Sequence, residues 1–173
     1  MKLQNSLWLW AILNMLAGIW EVYAYKNRDQ LKLEKITLWE KMAKGQITIG
    51  NFWMEGWSEY CKVDSRYIIK QYVWAFELLN AVIAVLFICA LCLYNSKSYG
   101  TLKILLGVSI VNCVLYFITL IWEVYLGDTD TGKENIIKEN MKKYARDWMF
   151  IVYYLISGIW LIVPLLLYMQ LSL

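Results

Sequence analysis

The sequence predicts an all-α, polytopic membrane protein: a single domain, residues 1–173, folded as a bundle of four transmembrane helices. Two observations predict it. Of 173 residues, 60% are apolar or aromatic and only 18% are charged, which is too little polar surface to cover one water-soluble domain. Four apolar runs, 7–25, 72–94, 101–126 and 148–169, also reach the roughly 20 residues that a helix needs to cross a bilayer.

Run 7–25 follows Lys2, is rich in Trp and carries Glu21, with no small-residue cleavage site after it. It is too long for the apolar stretch of a secretory signal and is expected to be a retained span. A long polar loop, 26–71, leads to run 72–94, where Cys89 and Cys92 have C-x-x-C spacing. Inside an apolar helix that spacing reads as two small packing residues rather than a redox pair. A short turn precedes run 101–126, and a loop of about 20 residues precedes run 148–169. The loops are too short for a separate catalytic domain, so any chemistry belongs inside the bundle or at its mouth.

Several function classes drop out on composition. The net charge of +3 is not gathered into a basic block, so nucleic-acid binding has no support. Histidine is absent, which removes the usual neutral-pH acid/base and the commonest metal ligand. Zinc hydrolysis, phosphoryl transfer and Ser-His catalysis all lack their parts, and no metal or cofactor is expected. The two long loops hold 14 of the 17 Lys and Arg, which by the positive-inside rule places them in the cytosol, although they also hold 11 of the 14 acidic residues.

The remaining three acids, Glu21, Glu77 and Glu123, lie within the spans, with no Lys or Arg deep enough to neutralise them. A carboxyl at membrane depth costs several kcal/mol when ionised and unpaired, so it is kept protonated, hydrogen-bonded or used. Because successive spans alternate direction, all three fall on the side of the long loops, and one shared pocket is expected. Helical phase agrees: at 100° per residue, Asn14 and Glu21 differ by about 20°, Glu77 and Asn80 are one turn apart, and Ser109, Asn112, Thr119 and Glu123 share an arc of about 80°. The fourth span offers Ser157 and, one turn later, Trp160. For the neutral residues, interhelical hydrogen bonding is the competing explanation. Gly18, Gly107 and Gly158 allow close helix contacts.

Ile19-Trp-Glu-Val-Tyr23 recurs as Ile121-Trp-Glu-Val-Tyr125, a duplication or a coincidence of two aromatic helix ends. Many aromatic residues sit at span ends, as an interfacial belt requires. Trp20, Trp122 and Trp160 lie further in, where they can line a flat apolar ligand or face a cation. A pocket of carboxyls and aromatics suits proton transfer on an apolar substrate: one carboxylic acid protonates an alkene, a second carboxylate removes a proton, and an indole face stabilises the cation between the steps.

Trp57-Ser-Glu-Tyr-Cys-Lys-Val-Asp-Ser-Arg-Tyr67 resembles a loop of the emopamil-binding protein family, whose members include sterol Δ8-Δ7 isomerases and whose wider superfamily carries the EXPERA domain. Phe76-Glu77, Val114-Leu-Tyr-Phe117 (with Tyr116) and Ile159-Trp-Leu-Ile-Val-Pro164 resemble that family's later helices in the same order. The resemblance runs from about Leu7 to the C-terminus and lacks the isomerases' extra first helix. It implies that Glu21 and Glu77 are the catalytic carboxylates and Trp160 the cation-facing aromatic. The family's histidine falls at Ala17, its asparagine at Ser157 and its threonine at Asn80, so this chain departs from the pattern at three positions. The resemblance thus implies either a sterol isomerase or a non-catalytic sterol-binding relative acting as sensor, carrier or chaperone. It further implies an endoplasmic reticulum location, a sterol or other apolar isoprenoid as ligand, a homodimer, in which the close contacts allowed by Gly18, Gly107 and Gly158 could be used, and cytosolic termini, the orientation opposite to that given by the positive-inside count.

Overall fold

A computed structural model describes residues 3–93, 98–126 and 135–172. Among them the secondary structure is helical throughout. Four helices are long and apolar enough to cross a membrane: α1 (Leu3–Lys26), α5 (Trp74–Cys92), α6 (Ser98–Ile121, extended by a π-helical turn Trp122–Leu126) and α8 (Asp147–Gln170). They coincide with the four predicted runs to within a few residues at each end. The chain is therefore a multi-pass integral membrane protein. The first half of the predicted turn between the second and third runs lies outside the described residues, as does the first part of the loop after the third.

The predicted polar loop, 26–71, is largely helical. It contains α2 (Leu38–Ala43), α3 (Ile49–Val63) and α4 (Arg66–Ile69), and α7 (Ile136–Tyr144) lies between the last two spans. Local chemistry explains this. Thr37 with Glu40, and Thr48 with Asn51, form reciprocal capping boxes that satisfy the first free N–H groups of α2 and α3. On α3 the residues Met54, Trp57, Ser58 and Cys61 are buried along one face, the signature of a helix that packs on one side only.

The described chain divides into two compact units. Of the described residues, unit 1 takes 3–22, 75–93, 98–117 and 156–172, and unit 2 takes 23–74, 118–126 and 135–155. Unit 1 is a layered apolar core in which Leu7, Trp10 and Ala11 of α1 join Ile83 and Phe87 of α5, Leu102 and Leu106 of α6, and Leu167 of α8. α1 and α5 approach closely at Gly18, where an added Cβ would stand 3.0 Å from the Ala81 Cα. Gly18 is thus engaged within the chain, the close backbone approach that small residues allow in membranes. Gly18→Val is expected to destabilise the protein by about 1–3 kcal/mol through overpacking, read as a lower midpoint of thermal unfolding in detergent; an unchanged midpoint would show that the helices separate without cost.

Unit 2 is built around aromatic rings. Trp57 meets Tyr60, Tyr67 and Trp74 with centroids 5.2 Å apart in each case, and Tyr60 lies 4.8 Å from Tyr153. The same unit holds two fully buried charges, Asp64 and Arg66.

Candidate functional site

Unit 1 assembles its polar site from three helices. Glu21 of α1 and Glu77 of α5 are both more than nine-tenths buried, and their carboxyl groups hydrogen-bond to each other. Such a bond requires one of the two to carry a proton, since two carboxylates offer only acceptors. The two acids have different surroundings. Asn112 of α6 donates to the Phe76 carbonyl at 3.0 Å and to Asn80 Oδ1 at 2.8 Å, which directs the Asn80 amide toward Glu77 Oε2 at 3.4 Å. Glu21 Oε2, by contrast, has no hydrogen-bond partner among the described residues. The amide relay favours a charged Glu77, because a donor to a carboxylate stabilises the anion, while Glu21 is left as the member suited to hold the proton.

The other expected site residues of this unit are placed around that pair. Tyr116 is buried one turn beyond Asn112, with its ring edge-on to Phe76 at 5.9 Å. Ser157 is buried with its hydroxyl unpartnered among the described residues, and its carbonyl lies 4.0 Å from the Cys113 thiol. Trp20 is half-buried one residue before Glu21. Trp160 stacks edge-on with Trp10 at 5.4 Å, against the apolar core. Trp10 precedes Glu21 by eleven residues on α1, a rise of about 16 Å, so the ring that Trp160 meets is borne three turns from Glu21. Trp122, expected further in, is 63% exposed.

Glu123 belongs to unit 2, not to the carboxyl pair. Lys70 Nζ lies 3.3 Å from Glu123 Oε1, and the Tyr72 hydroxyl donates to the same oxygen. The expectation that no cation reaches the membrane glutamates therefore fails for Glu123: the segment just before α5 returns to the end of α6 and supplies one. The Glu123 carbonyl in the π-helical turn also accepts from the Asn135 side chain. Desolvation, reinforced by this carboxylate, pushes the Tyr72 phenol up to about 12. Thr119, on the same predicted polar stripe, accepts from Arg66 Nη1 at 3.0 Å.

Sequence reasoning from residue chemistry missed the Asp64–Arg66 pair. Arg66 Nε and Nη2 donate to Asp64 Oδ1 and Oδ2 at 2.8 and 2.7 Å, and Tyr153 of α8 donates to Oδ2 at 3.4 Å. Two residues apart in a polar stretch, these charges look like an ordinary solvated pair. Only the family-like loop motif, which contains both, singled them out. Burial, with the Asp64 charge adding to it, pushes the neighbouring Cys61 thiol well above its ordinary value, which makes it an inert thiol.

Fold and site together define a multi-pass membrane protein that holds a carboxyl pair within its spans. No family model, curated protein or solved structure matches the chain, so its own residues carry the functional argument.

Proposed function

We propose that unit 1 moves a double bond within an apolar isoprenoid, of which a sterol is the leading candidate, by adding a proton at one carbon and removing one from another. The observation that carries this reading is the hydrogen-bonded, buried Glu21–Glu77 pair, with asymmetric donors. Glu21 gives its proton to the alkene, leaving a tertiary cation, and Glu77 takes a proton from the neighbouring carbon so that the double bond reforms one position along. Atoms balance without a cofactor. After one turnover Glu21 is ionised and Glu77 protonated, and the hydrogen bond between them offers the direct return path that resets the site. In the sterol case, suggested by the resemblance to the emopamil-binding protein family, the proton enters at C9 and leaves from C7. Trp20, next to Glu21, and Tyr116, whose ring packs edge-on against Phe76 next to Glu77, are the aromatic residues that would contact such a ligand.

Ala17 stands where that family has a histidine, and this favours a second reading: a protein that keeps the lipid-binding pocket without turnover, as sensor, carrier or chaperone. One experiment separates the two. Purified protein is incubated with a Δ8-sterol in deuterated water. A Δ7 product carrying deuterium at C9 supports the isomerase, whereas saturable binding with neither product nor exchange refutes it and favours the binding protein. The same resemblance suggests residence in the endoplasmic reticulum with cytosolic termini, which mapping of engineered glycosylation sites would test.

A further inference from the structure

The connection between α1 and α5 carries apolar side chains that neither core uses. On α2, Trp39 is 62% exposed; at the start of α3, Ile49 is 91% and Trp53 48% exposed, with Phe52 close behind at 39%. Ile49, Phe52 and Trp53 share an arc of about 100° on α3, distinct from the arc of the buried Met54, Trp57, Ser58 and Cys61. The patch is held in shape. Besides the two capping boxes, Lys41 Nζ bridges Glu34 and Glu55 at 2.8 and 2.5 Å, tying α2 to α3.

Charge indicates what covers it. Glu34, Glu40, Glu55 and Glu59 each pair with a Lys or Arg of this unit. Lys35 and Lys44, which flank α2, are exposed and form no ion pair among the described residues. The four acidic side chains share three cations, Lys41, Lys62 and Arg146, while Lys35 and Lys44 face outward beside the apolar patch. The same compact unit includes the ends of the spans: 23–26 of α1, Trp74 of α5, 118–124 of the third span and 147–155 of α8. It is therefore fastened to the bilayer by four chain segments, and a lipid surface is available to it without an association step.

We propose that α2 and the first turns of α3 form an interfacial element that seats Trp39, Ile49, Phe52 and Trp53 at the boundary between headgroups and acyl chains, with Lys35 and Lys44 on anionic headgroups. Amphipathic helices with Trp on one face and Lys at the rim bind bilayers in this manner, and anionic lipid adds attraction for each lysine. The element holds the connection between the first two spans flat on the membrane, and the proposal is independent of the carboxyl pair.

The test uses the full chain in liposomes, with Cys89→Ala, Cys92→Ala and Ile49→Cys, a nitroxide on the introduced thiol, and the parent lacking Ile49→Cys as the background. In phosphatidylcholine containing phosphatidylglycerol, the ratio of oxygen to nickel-chelate accessibility is expected to rise several-fold above that of free label in water. It should fall in phosphatidylcholine alone, and Lys35→Glu with Lys44→Glu should remove the difference between the two lipids. Water-like accessibility in the anionic liposomes overturns the proposal, as does spin–spin broadening that vanishes on dilution with unlabelled protein, because a second copy would then cover the patch. Equal depth in both lipids overturns the headgroup assignment.

Discussion

Glu77→Gln is expected to lower the turnover of the proposed double-bond shift by about 10²- to 10⁴-fold, the usual contribution of one acid/base group, while leaving affinity for an apolar ligand within a few-fold of wild type. The substitution is chosen for its geometry. An amide at this position still accepts from Asn80 and can donate to Glu21, so the pair remains hydrogen-bonded and the helices keep their contact; only the ability to take up a proton is removed. Deuterium incorporation from solvent reports turnover, and ligand-induced quenching of Trp fluorescence reports binding. Asn112→Leu serves as the companion variant: it removes the amide that orients Asn80 and is expected to change the pH dependence of turnover more than the affinity, since Asn112 acts on Glu77 rather than on the ligand. Unchanged turnover in Glu77→Gln would remove Glu77 from the mechanism.

Arg66→Met is expected to destabilise the protein by about 3–5 kcal/mol, the cost of leaving one member of a buried ion pair without its partner. Asp64 and Arg66 are both fully buried, and each is tied to another helix, Arg66 to Thr119 of α6 and Asp64 to Tyr153 of α8. Removing the guanidinium takes away the bidentate cationic partner of the buried Asp64 carboxylate. The double variant Asp64→Leu with Arg66→Met is expected to be less damaged than Arg66→Met alone, because no charge then remains buried. Thermal unfolding of the three proteins in one detergent measures this. A double variant less stable than either single one would show that the two side chains contribute independently and are not a charge pair.

These two expectations rest on features that the sequence revealed unequally. The spans were legible to within a few residues because hydropathy is summed over contiguous positions and needs no knowledge of partners. The phases of Glu77, Asn80 and Asn112 were legible as well, since helical periodicity fixes which side chains share a stripe. The helices of the long loop were overlooked although both capping boxes are written in the sequence; a polar average over 45 residues hides two short amphipathic elements. The contact of Trp160 with Trp10 was not legible, because a position along α8 says nothing of which residue of α1 it meets.

By itself, the sequence determined that this chain is a four-span membrane protein and that three carboxyls lie at membrane depth, because both follow from local composition and the fixed geometry of a helix. Tertiary structure decided what those carboxyls are. Glu21 finds Glu77 and shares a hydrogen bond, whereas Glu123 finds Lys70 and Tyr72, more than fifty residues earlier in the chain. The energy of a buried charge depends on the group a few ångströms away, and which group that is depends on where distant segments return.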